Sequence, residues 1–185
     1  MTNFNITLPK SGSNTGRPAA EESGDYFKGY IDKTSGNDPV QELIDTADEL
    51  LAYLKAVPES RETNRYAEGK WSIREMLGHI IDTDRVFAYR AMTFARGDDV
   101  SLPGFEQDDW VLPSGAHQRP LTDLNQEFIE QRSSLIRMFA SLPDEAWTRT
   151  GTASGSRFSV RAIAFLLAGH VRHHLNILQE RYGEE

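Results

Sequence analysis

The sequence predicts an all-α protein, an antiparallel four-helix bundle with a long crossover loop between the second and third helices. Three observations predict it. Four stretches carry apolar residues at helical spacing, each bounded by helix start and stop signals. No stretch shows a comparable strand pattern, and no internal repeat competes with the helical reading. The longest connection, interrupted by proline and glycine, falls between the second and third helical patterns, as one crossover in a bundle requires.

Residues 1–24 mix Ser, Gly, Asn, Thr, Pro and Glu with few apolar anchors and read as a flexible N-terminal arm, leaving residues 25–185 as the bundle domain. Tyr26, Phe27 and Tyr30 then mark a lead-in segment expected to pack on the body rather than to bind anything. The first long helix runs from about Val40 to Ala56, buries Leu43, Ile44, Ala47, Leu50, Leu51 and Leu54, and has Asp38 as its cap and Pro39 as its first residue. Ser72 and Glu75 form a capping-box pattern at the start of the second, with Trp71 placed to staple onto Met76. Its stripe of Ile73, Met76, Leu77, Ile80, Phe87, Ala91 and Phe94 ends at Gly97. Ser101–Pro113 holds two prolines and a glycine, too irregular for a regular element, and reads as the crossover loop. Thr122 is the expected cap of a third helix reaching about Ala140, followed by a turn that tucks Trp147 under the body. Gly151–Ser156 is a tight small-residue turn with room for a minimal hairpin, and Ser159 caps the last helix, which runs to about Tyr182.

With 185 residues the chain suffices for one well-buried core. No apolar run approaches the roughly 18 residues of a membrane span, and the N-terminus lacks the apolar core of a secretory signal, so a cytoplasmic protein with no membrane partner is expected. Cysteine is absent, which excludes disulfides, thiolate zinc sites and a thiol nucleophile of the chain's own. A net charge of −8 without a basic stripe argues against nucleic acid as a partner.

The histidines carry the chemistry. His170 and His174 stand four residues apart on the last helix, near the centre of its apolar stripe, whereas His173 lies on the flank and Arg172 points to solvent. His79, on the flank of the second helix's stripe, is the other histidine inside a helical pattern; His117 follows a Pro-Ser-Gly turn and reads as solvated. Buried imidazoles need partners for both ring nitrogens. Two readings satisfy them: hydrogen bonds to one another and to carboxylates, or a divalent ion held by His79, His170 and His174 with one position open. Val171 stands where a His-Glu-x-x-His peptidase has its glutamate, so that chemistry is disfavoured. Glu75 and Asp82, four before and three after His79, are placed to orient its imidazole, and Arg90 on the same side either binds an anionic group or snorkels.

Residues 66–79 (Tyr-Ala-Glu-Gly-Lys-Trp-Ser-Ile-Arg-Glu-Met-Leu-Gly-His), Arg85–Arg90, Leu102–Phe105 and Gly169–Leu178 together resemble the DinB-like superfamily of metal-dependent bundle proteins, which includes YfiT-type and thiol-transferase branches. The resemblance implies a four-helix bundle whose metal ligands match His79, His170 and His174. It implies nickel or zinc as the ion, with iron or manganese in some members, and a homodimer. For activity it implies use of a low-molecular-weight thiol, either transferred to an electrophile or used in isomerisation; the reading taken from it is a metal-dependent S-transferase in which the crossover loop around Phe105 and Trp110 closes over the substrate. The alternatives are a metal-dependent hydrolase and a non-catalytic stress-response or binding module.

Overall fold

Local chemistry starts most of the helices where the pattern places them. In this computed structural model, which describes residues 16–98 and 100–183, four long helices dominate: α2 (Pro39–Lys55), α3 (Ile73–Ala95), α5 (Leu121–Ala140) and α6 (Val160–Arg181). Two short ones, α1 (Asp25–Ile31) and α4 (Gln107–Val111), accompany them. Asp38 Oδ1 accepts from the backbone N–H groups of Val40 (2.9 Å) and Gln41 (3.2 Å), so α2 begins with two of its orphan donors satisfied and proline at its first position. Ser72 and Glu75 close the capping box of α3 reciprocally, and Ser159 Oγ accepts from Ala162 N at 3.1 Å to open α6.

Helix α5 departs from expectation. It starts one residue before Thr122, after Pro120, with no side-chain cap of its own. Glu62, from the turn that follows α2, accepts from Leu121 N at 3.0 Å while its other partner is Arg74 on α3 (2.6 Å). A buried carboxylate thus joins the starts of α3 and α5, where it also meets the positive end of the α5 dipole.

The expected four-helix bundle is present, and its helices run both with and against one another. Each long helix packs on two others: α6 on α2 and α3, α5 on α3 and α2. Helices α3 and α5 run in the same sense, since Arg74 donates to the carbonyl of His117 just before α5, and Arg149, just after α5, donates to the carbonyl of Ala95 at the end of α3. Between those ends Asp84 of α3 meets Arg132 of α5 at 3.2 Å. Helices α2 and α6 are likewise parallel: Arg172 bonds Glu42 and Glu49, and Tyr53 OH reaches the carbonyl of Leu178. Arg172 therefore clasps α2 instead of pointing to solvent. Because α3 spans about 34 Å at 1.5 Å per residue, the chain needs a long return to begin α5 beside the start of α3.

That return is more regular than its composition suggests. It contains strand β1 (Ser101–Leu102) and helix α4. β1 pairs in parallel with β2 (Thr150–Ala153), which forms a hairpin with β3 (Ser156–Ser159), giving a three-stranded sheet at the end of the bundle. Trp147 is buried and stacks on Phe139, as expected. At the N-terminal side, residues 1–15 of the expected arm lie outside the described residues. Arg17 donates to the carbonyl of Ile31 and to Thr34, and Glu22 pairs with Arg161 of α6, so residues 17–22 are held on the bundle. No helix among the described residues is long and apolar enough to cross a membrane.

Candidate metal centre

His79 enters from α3, and His170 and His174 from α6, each 4–6 % exposed. Four residues on an α-helix bring His170 and His174 one above the other, and the antiparallel crossing of α3 brings His79 against both. Their Nε2 atoms converge: 3.0 Å from His170 to His79, and 3.0 Å from His170 to His174. All three ligand atoms lie within 4.8 Å of one another. A tetrahedral ion about 2.0–2.1 Å from each imidazole nitrogen spaces those nitrogens by roughly 3.3 Å, so the cluster fits a divalent ion with little adjustment.

Electrostatics favours the ligand form. Burial lowers the His79 pKa to about 4, with the charge of His173 adding to it. His170 and His174 are pushed well below the usual histidine range, first by burial and then by the neighbouring imidazoles. All three are therefore neutral at pH 7, each with a lone pair to offer. The hydrogen-bonded alternative falls short at the Nε2 atoms themselves; the Nδ1 atoms of His170 and His174 are buried with no hydrogen-bond partner among the described residues in either arrangement. Three Nε2 atoms facing one point cannot satisfy one another with the protons available to neutral rings, whereas one cation satisfies all three.

The close approach at this point is built by glycines. A Cβ at Gly169 would sit 1.9 Å from the carbonyl oxygen of Tyr30, so α1 lies directly on α6 beside His170. A Cβ at Gly78 would sit 2.6 Å from the Ala116 side chain, so the turn before α5 lies on α3 beside His79. Through the first contact Tyr30 places its ring edge-on, centre to centre 5.5 Å from His170 and 5.2 Å from His173. Trp71 packs its ring 4.7 Å from His79.

Two cavities open on the cluster. One, about 410 Å³, reaches His170 between α1, α3 and the β2–β3 turn, and is lined by Tyr26, Tyr30, Thr83 and Arg90 among others. The second, about 500 Å³, reaches His174 past Trp71 and Tyr182. Both fall within the range of small-molecule sites. Asp108 of α4 lines both.

The remaining expectations divide. His173 is half-buried against Tyr30 and stands outside the convergent group. His117 is half-buried, with Nε2 beside the Gln118 amide, and takes no part. Glu75 is engaged by Ser72 and Arg65, and Asp82 by Arg85, so neither orients His79. Phe105 lines the His170 cavity, whereas Trp110 stacks behind it, 4.8 Å ring to ring, on an outer groove. The aromatic segment at Tyr26–Tyr30, expected only to pack, forms a wall of the site. Its signal in the sequence is Gly169, a mid-helix glycine beside a histidine that marks where another backbone comes close.

Comparison with known proteins agrees with this geometry. A comparison with curated proteins finds no match. Among solved structures, YfiT from Bacillus subtilis, described as a probable metal-dependent hydrolase with an unusual four-helix bundle topology, superposes with a TM-score of 0.70 at 15 % identity, covering 82 % of this chain and 91 % of that one. The mycothiol-dependent maleylpyruvate isomerase superposes with a TM-score of 0.63 at 11 % identity, covering 79 % of this chain and 61 % of that one. At such identities both likenesses speak for the fold. The model of the DinB superfamily matches residues 42–178, from the second turn's worth of α2 to the last turns of α6 and through all three clustered histidines, and the chain belongs to that superfamily.

Proposed function

We propose that the protein is a metal-dependent hydrolase that holds one divalent ion on His79, His170 and His174. The observation that carries the reading is the convergence of three buried, neutral Nε2 atoms at the inner ends of two open cavities. When bound, a zinc, nickel, iron or manganese ion on three imidazoles acidifies water and polarises a carbonyl or phosphoryl oxygen. The chain's own groups shape the surroundings: Tyr30 and Trp71 shield the ligand imidazoles from bulk water, and the exposed Asp108 sets a carboxylate at the rim common to both cavities.

Hydrolysis is preferred to thiol transfer because the likeness to the described hydrolase spans nearly its whole length, whereas that to the thiol-dependent isomerase leaves over a third of that enzyme unmatched. A chain without cysteine can run thiol chemistry only on a thiol brought from outside. The test is turnover of p-nitrophenyl esters, phosphate esters and anilides by protein stripped with chelator and reloaded with each ion, with and without added small thiols. Hydrolysis without thiol, lost in His170→Ala, is the expected result. Turnover that requires a thiol and leaves it in the product would replace this reading with S-transfer, and no turnover under any condition would refute catalysis by these ions on these substrates.

A further inference from the structure

We propose that Arg90 is the anion-recognition residue of the His170 cavity, so that the molecule bound there carries a carboxylate or a similarly charged group. Arg90 is 2 % exposed, yet it forms no ion pair with any described carboxylate. The other deeply buried arginine, Arg132, has Asp84 at 3.2 Å, and the largely buried Arg74 has Glu62 at 2.6 Å. Burying a guanidinium without a counter-charge is costly, and burial draws its pKa down. A fold that keeps such a group beside an open cavity supplies an unfilled electrostatic demand.

The group is held ready. One nitrogen, Nη2, makes both of its hydrogen bonds, donating to the carbonyl of Pro103 at 2.7 Å and to Ser154 Oγ at 2.9 Å. The guanidinium carbon lies 4.6 Å from the centre of the Phe87 ring and 5.9 Å from that of Phe105. Crossover loop, hairpin turn and two aromatic rings thus fix its plane, while the donors on its other nitrogens are not consumed. Arg90 is the one lysine or arginine among the described residues that line this cavity. Glu106 and Asp108, at the exposed rim, do not pair with it.

Ser154 adds a second, independent observation. Its φ of +51° makes it the one non-glycine residue with positive φ among the described residues, at a turn position where glycine or asparagine is the unstrained choice. The two-residue hairpin turn itself demands that φ; what a serine adds over the unstrained glycine or asparagine is a hydroxyl that accepts from Arg90 and fixes its guanidinium at the cavity.

This assignment rests on the reading of the His170 cavity as the substrate site, and its test is separate from turnover. 3-Phenylpropionate and the isosteric 3-phenylpropionamide match the aromatic lining and differ in charge. Both are titrated calorimetrically into the full chain freed of metal, so that no ion at an open coordination position attracts the carboxylate. The carboxylate should bind at least about tenfold more tightly than the amide, as a charge-assisted bond to a buried arginine requires. Arg90→Gln should remove the difference and Arg90→Lys restore part of it. Equal binding of the two probes, or binding of neither, by the wild type overturns the proposal even if Arg90→Gln fails to fold; so does a preference that survives in a folded Arg90→Gln protein. An anion preference without hydrolysis of any substrate would leave this site standing and refute the hydrolase reading; hydrolysis of neutral esters without such a preference would do the reverse.

Discussion

The three imidazoles make the metal-free protein sensitive to mild acid, and the size of the effect follows from their burial. Histidine in the unfolded chain titrates near 6.5, whereas His79 in the folded chain titrates at about 4, with His170 and His174 also well depressed. Between those values the unfolded state binds protons that the folded state refuses, so stability is intact above about pH 6.5 and falls as the pH drops below it. Each such histidine costs about 1.4 kcal/mol per pH unit through that window. From 6.5 to 4 His79 alone is worth about 3 kcal/mol; lowering the pH from 7.5 to 5 costs about 2 kcal/mol at His79, and His170 and His174 add to the loss in the same direction.

One buried group opposes this slope. Burial raises Asp84 to about 6 despite Arg132, so the folded state holds a proton there that the unfolded chain releases, and stability falls as pH rises from about 4 to 6. The measurement is therefore a difference: urea unfolding of chelator-treated wild type and His79→Gln at pH 7.5 and pH 5. Asp84 cancels between the two proteins, and wild type should lose about 2 kcal/mol more than the variant. Equal losses would mean that His79 is not buried in its neutral form, and the electrostatic argument for the ligand set would fall with it. Saturating zinc at pH 7.5 should raise the wild-type midpoint, and the increment should shrink at pH 5 as protons compete for the same nitrogens.

Three further outcomes follow from the packing and the ligand set. Elemental analysis after loading and desalting should find about one divalent ion per wild-type and His173→Ala chain and almost none for His170→Ala; retention by His170→Ala would remove the proposed centre. Gly169→Ala forces a methyl against the Tyr30 carbonyl and should destabilise by about 1–3 kcal/mol in urea unfolding, and an unchanged midpoint would show that α1 does not seat there. Asp84→Asn leaves Arg132 buried without its counter-charge and should cost about 3–5 kcal/mol, whereas Asp84→Leu combined with Arg132→Met should recover most of it; a double variant as unstable as the single one would contradict that account.

What was legible in the sequence is what local chemistry decides. Caps at Asp38, Ser72 and Ser159 act within three residues of themselves, and periodicity placed His170 and His174 inward and His173 aside. What was not legible depends on distant partners. The α5 start is capped by Glu62, 59 residues upstream. Strand β1 has two residues and exists because β2 lies beside it. Tyr30, Ser154 and Asp108 reach the site from three separate elements, and none has a pattern of its own that announces this.

The division of labour around the cluster follows from the same contacts. Each of the two helix faces that carry the histidines is pressed against another element through a glycine one residue before the first histidine: Gly78 before His79, Gly169 before His170. Neither contact leaves room for a side chain at the glycine, so a second element is seated directly against each helix beside its first histidine, as a preorganised ion site needs. The opposite side is built otherwise. Phe105, Glu106 and Asp108 belong to the crossover, which exposes most of its residues and is tied to the body by β1, by the Arg90 bonds and by the packing of α4 on α3. Substitutions there change what enters the cavities without moving His79, His170 or His174. On the proposals made above, the helices hold the ion, and the crossover, with Arg90 beneath it, selects the molecule that meets it.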